Sequence, residues 1–84
     1  VEGTLGEIRI FAGSYAPENW LFCQGQILPI SQNQALFSIL GNTYGGNGAQ
    51  TFGLPTLPPV IQVEGAPNTM QYIICVRGYY PVRP

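Results

Sequence analysis

Few side chains in this protein could carry covalent or acid–base chemistry. The 84 residues include two cysteines, no histidine, no lysine and no aspartate. The acids are Glu2, Glu7, Glu18 and Glu64, and the bases are Arg9, Arg77 and Arg83. General acid–base catalysis wants a histidine or a pair of carboxylates in one pocket, and four scattered glutamates form no evident pair. Cys23 and Cys75 have no histidine to draw out a thiolate. Metal centres need ligands that are missing here. The sequence is therefore read as non-enzymatic, with no cofactor and no metal.

Each cysteine sits in an apolar, strand-like run, where a free thiol behaves as a small hydrophobe. Two are too few for a disulfide framework, and a bridge between them requires that the two strands be neighbours. The glycine-rich stretch Asn42–Gln50 invites a phosphate-loop reading. It follows a helix instead of opening one, and no Lys-Ser/Thr lies behind it to meet phosphate and metal, so turn chemistry explains it better. Tyr44 within it is a candidate for surface contacts. Trp20 could offer a platform to a ligand, although an indole at the start of a core strand more often packs.

The composition favours contact over chemistry. Charged residues make up 8% of the chain and the formal net charge is −1, whereas soluble domains carry about 25%. Asn, Gln, Ser and Thr supply polarity without repelling a neighbouring copy, and a near-neutral surface is poorly protected against self-association. No basic footprint for nucleic acid is present. No apolar run approaches the roughly 18 residues of a membrane span. The chain begins at Val1, as a processed protein or a fragment does.

The elements that position these residues are short, and the length suits a single domain over 1–84. Pro29–Gly41 holds the clearest helix, with Ser31 as N-cap and Gln34 closing a capping box. Leu36, Ile39 and Leu40 share its apolar face, Phe37 lies beside them, and Gly41 offers the C-terminal stop. Leu5–Ala12 alternates, with Ile8, Ile10 and Ala12 on one face and Glu7 and Arg9 paired on the outer one. Trp20–Cys23 and Ile27–Leu28 read as strands of a tight hairpin through Gly25. Thr51–Val60 is an extended, proline-rich arm pinned by Phe52, Leu54 and Leu57. After a turn at Glu64–Pro67, Gln71–Gly78 reads as a central strand covered on both faces. The tail Tyr79–Pro84 exposes two tyrosines and should pack on its own domain or on another subunit. The expected class is α+β: a small antiparallel β-sheet with one short α-helix packed on it and a proline-rich extended arm.

Several of these stretches resemble the phage tail collar domain, the family that includes short tail fibre proteins and microcystin-dependent proteins. The resemblance is carried by Gly6–Gly13, Ala16-Pro17 with Trp20 and Cys23, Gly25-Gln26, Pro29–Ser38, Leu40-Gly41, Thr43–Gly46, Thr51-Phe52, Leu54-Pro55 and Leu57. The run Tyr72–Gly78 resembles the last strand of that family. Members usually continue past the Leu-Pro-x-Leu segment into Arg-Gly-Arg and a long insertion. In short tail fibres a receptor-binding region with metal-binding histidines follows. Here Pro58-Pro59 stands at that point, so the resemblance implies the collar scaffold without the head or its metal.

Two functions follow as expectations. One is a structural subunit of an extracellular fibre or filament, or of a virion tail appendage. It would be a homo-oligomer (fibre, filament or trimer), with other tail or filament proteins as further partners and no nucleic acid or membrane. Its subunit-contact candidates are Ile8, Ile10, Tyr44, Tyr79, Tyr80 and Val82, and the N-terminal strand and the tyrosine–proline tail are the segments expected to cross between copies. The other is an adhesin binding surface glycan through Trp20, Tyr44 and Tyr79.

Overall fold

The computed structural model describes residues 3–61 and 69–81. In chain order its elements are β1 (Ile8–Phe11), β2 (Trp20–Phe22), β3 (Ile27–Pro29), a 3-10 turn (Ile30–Gln32), α1 (Gln34–Leu40), β4 (Thr51–Gly53), β5 (Val60–Ile61) and β6 (Thr69–Cys75). The class is α+β, with small antiparallel sheets and one short helix, as the sequence predicts.

Strand β6 is central. β1 pairs along one edge, with Ile8 opposite Ile74 and Phe11 opposite Gln71. β2 pairs along the other, with Trp20 opposite Cys75 and Phe22 opposite Ile73. β5 joins the beginning of the same strand, Val60 opposite Met70. A second, two-stranded sheet is formed by β3 and β4. Successive side chains of a strand point to opposite faces, and β6 uses both. Ile74 belongs to a cluster with Leu5, Cys23, Leu36, Phe52 and Leu54, against which Phe37, Ile39 and Leu40 of α1 also pack. Ile73 and Cys75 face the other way, into a smaller cluster with Trp20, Phe11, Ala16 and Phe22. The Phe37 and Phe52 rings tilt at 60° with centroids 5.4 Å apart, fixing the helix on the second sheet. Phe52 and Leu54 are fully buried and Leu57 packs against the same cluster, so the proline-rich arm is anchored as expected.

The local differences have physical reasons. Ser31 is not the N-cap and no capping box forms. Pro29 is extended (φ −75, ψ 134), and a 3-10 turn follows it directly. Asn33, at φ −143 and ψ 40, then breaks the geometry before α1 starts. The Asn33 side-chain amide donates back to the Pro29 carbonyl at 2.9 Å. Gly41 closes α1 with positive φ, its amide donating to the Phe37 carbonyl at 2.7 Å. Gly25 also has positive φ, but no hairpin forms there. β2 pairs with β6 and β3 with β4, so the Gln24–Gln26 segment carries the chain from one sheet to the other. There Leu57 donates to the Cys23 carbonyl and Leu54 to that of Gln26.

Strand β1 also departs from the expected faces. Glu7 and Arg9 do pair at 2.7 Å, yet Arg9 lies over the buried Trp20 ring, 5.2 Å from its centroid. Ile8 and Ile10 are the exposed ones, at 42% and 50%. Strand β6 begins two residues earlier than the alternation suggests and ends at Cys75, after which the chain bends. The turn expected at Glu64–Pro67 lies outside the described residues.

Truncating Leu36, which is 1% exposed, is expected to lower stability in urea unfolding by about 2–5 kcal/mol. Ser31→Ala should stay within about 0.5 kcal/mol, because its hydroxyl caps nothing. A loss of about 1 kcal/mol or more at Ser31 would restore the capping box.

Candidate functional site

Chemistry has little foothold. Burial raises the pKa of the Cys23 thiol. Burial also raises that of Cys75, whose thiol donates to the Arg77 carbonyl at 3.2 Å. Both cysteines are free, and they lie in the two different clusters. A neutral, enclosed thiol is a poor nucleophile. Glu7 is held below its ordinary value, first by the hydrogen bond from Arg9 and then by the Thr4 amide. A carboxylate tied in this way is an acceptor, not a proton carrier at neutral pH. Its interaction with Arg9 is present above the unfolded pKa and is lost as acid protonates Glu7 through its lowered folded one.

The glycine-rich loop spends its donors on itself. The Asn47 side-chain oxygen accepts from the amides of Ala49, Gln50 and Thr51, at 2.8, 2.8 and 3.1 Å. The Gly48 amide donates to the Thr51 carbonyl and that of Gly45 to Asn42. A phosphate cradle needs such amides unengaged and convergent, and these are engaged. Gly46 has φ +84, and a Cβ there would run into the backbone of Phe52. These constraints shape the loop, and Tyr44 projects from it 51% exposed.

Several large aromatic and aliphatic side chains are left on the surface. The segment after β6 returns to its own chain. Tyr79 donates to the Gly3 carbonyl and accepts from Leu5, at 3.0 and 2.8 Å, in a parallel bridge with Thr4. The Tyr80 hydroxyl lies 2.7 Å from that of Ser38 on α1. The segment before β1 and the start of the tail are thus paired with one another within the chain. Their side chains still face out, Tyr79 at 64% and Tyr80 at 55%. Val82 lies outside the described residues. Trp20, only 2% exposed, is a core residue, and neither of its faces is offered to a sugar.

An open cavity of about 460 Å³ lies beside the tail, lined by Gly3, Asn19, Arg77, Gly78 and Tyr79. Sequence reasoning found Tyr79 but missed Asn19 and Arg77 as its neighbours. Asn19, at φ 71, accepts with its carbonyl from the amides of both Val76 and Arg77. That pairing holds two distant positions together, and no local pattern signals it. Tyr15, 77% exposed in the turn before β2, was likewise missed.

A sequence model of the phage tail collar domain matches residues 6–58. The chain belongs to the phage tail collar domain family. The matched region runs from the turn before β1 through the proline-rich arm, and so contains α1, both strands of the second sheet and the Asn47 loop. It stops at Pro58, within the proline-rich arm. Strand β6, on which the collar fold here is assembled, lies beyond the match. No curated protein and no solved structure is significantly similar to the chain. The collar domain is a module of phage tail fibres with a structural role. Among the described residues no helix is long and apolar enough to cross a membrane.

Proposed function

We propose that this collar domain is a non-enzymatic structural subunit of an extracellular fibre or filament, of the phage tail kind, and that it assembles through contacts between copies. One observation carries the reading: large apolar side chains stand exposed where a near-neutral surface does nothing to keep copies apart. Ile8, Ile10, Tyr44, Tyr79 and Tyr80 are all more than 40% exposed, and the formal net charge is −1. Ile8 and Ile10 stand next to each other on one face of β1, adjoining exposed apolar side chains mark contact sites, and weak net charge lowers the barrier to association. Membership of the collar family supports the setting, a virion tail appendage, and with it other tail proteins as further partners. Light scattering across a concentration series is the test. The measured mass should rise to a multiple of the chain mass; a monomer at every concentration contradicts the reading.

A second reading rests on the cavity beside the tail. Tyr79 offers a ring, Arg77 a cation and Asn19 an amide around a space of about 460 Å³, which is the size of small-molecule pockets. Aromatic faces and planar donors suit a sugar, so the domain would serve as an adhesin for surface glycan. On a glycan array, binding that falls at least tenfold in both Tyr79→Ala and Arg77→Ala supports this reading. Binding that ignores both, or none at all, removes it.

A further inference from the structure

Every strand pair described in the sheets is antiparallel. The bridge between Thr4 and Tyr79 is parallel. There the chain leading into β1 and the chain leaving β6 run side by side in the same direction. The Tyr79 amide donates to the Gly3 carbonyl at 3.0 Å, and the Leu5 amide donates to the Tyr79 carbonyl at 2.8 Å. Two glycines allow this approach. A Cβ at Gly78 would run into the Gly3 carbonyl, and one at Gly3 would run into the Trp20 ring.

The direction of the pairing has a mechanical consequence. The chain enters at Gly3 and leaves past Tyr79, so its incoming and outgoing parts lie at opposite ends of the bridged pair. A pull along the chain slides the two segments past each other and loads both hydrogen bonds at once. An antiparallel pair pulled in the same way would open one bond at a time. Resistance to force is set by the unfolding rate, and that rate falls when several contacts must break together.

Both segments are anchored behind the bridge. On the incoming side Leu5 is 7% exposed and sits in the larger cluster, so sliding residues 3–5 drags that side chain into water. The next amide, that of Gly6, donates to the Cys75 carbonyl at 3.0 Å. On the outgoing side the Asn19 carbonyl accepts from the amides of Val76 and Arg77. Beyond the bridge the Tyr80 hydroxyl is tied to that of Ser38 on α1 at 2.7 Å.

We propose that the pairing of residues 3–5 with Tyr79 is a tension clasp, and that withstanding a pull along its own chain is a further function of this domain. This deepens the reading of the domain as a fibre subunit and rests on it, because a fibre is where such a pull arises.

Single-molecule force spectroscopy in two directions tests the clasp. Handles at the two chain ends shear it. Handles at the N-terminal end and at Arg77→Cys, which lies at the same end of the bridged pair as Gly3, peel it open. Arg77 reaches the Gln32 carbonyl only at 3.4 Å, beyond the ordinary hydrogen-bond range, so this substitution removes little. The native thiols are 2% and 0% exposed and do not compete for the handle. Equilibrium stability does not depend on the direction of pulling, so the comparison isolates geometry. At one loading rate the mean unfolding force between the ends should be at least twofold higher than in the peeling direction. Leu36→Ala weakens the core away from the clasp and should lower both forces while keeping their ratio. Gly78→Ala wedges the pair apart and should bring the ratio towards one. Equal forces in the unmodified clasp, or a ratio that Gly78→Ala leaves unchanged, overturn the inference. Equal forces in a chain that light scattering shows to assemble remove the clasp and leave the proposed function standing. A chain that stays monomeric removes the fibre reading, and with it the source of the pull, whatever the forces.

Discussion

Everything in this fold leans on one strand being covered twice. Ile73, Ile74 and Cys75 of β6 are 2%, 0% and 0% exposed, and they divide between a larger and a smaller apolar cluster. The same strand is bonded on both edges, odd residues to β1 and even ones to β2, as the Cys75-to-Glu7 and Cys23-to-Tyr72 bonds show. A chain of this size buries only about 60–65% of its unfolded surface and cannot build two independent cores. Sharing a single partition between two thin clusters solves that problem. It also accounts for the burial of both thiols, Cys23 in one cluster and Cys75 in the other, each as a small hydrophobe.

From this constraint follows what the surface is free to do. The backbone groups of the Asn47 loop are consumed internally. The segment after β6 returns to Gly3 and Leu5 through its backbone, which satisfies the main chain while turning Tyr79 and Tyr80 outward. The family match, which covers the helix, the second sheet and the arm but not β6, marks these as the collar's recognisable parts.

The features legible in the sequence were those set by near neighbours or by strong burial. The unbroken apolar run of β6 announced a strand covered on both faces. Glu7 and Arg9, two apart on a strand, found each other. Phe52, Leu54 and Leu57 had to be anchors because their prolines left the arm little else to hold it. The misreadings came from competition that local patterns do not reveal. Ser31 has the chemistry of a cap, but the extended Pro29 starts a 3-10 turn first and Asn33 then interrupts it. Gly25 has the positive φ of a hairpin, yet β2 finds its partner in β6, far along the chain. Trp20 draws Arg9 over itself, and this reverses the faces of β1 and leaves Ile8 and Ile10 outside. The cavity at Asn19 and Arg77 depends on a pairing no short motif could announce.

Residue-level amide hydrogen exchange on a dilute sample tests the shared partition most directly. The amides of Ile73 and Ile74, bonded to opposite neighbours, should exchange last and with the same opening free energy, which is that of global unfolding. The outward amides of Ile8 and Ile10 should exchange far sooner. If Ile73 and Ile74 opened at clearly different free energies, or as readily as Ile8, the two clusters would be separate units and β6 would not be what joins them.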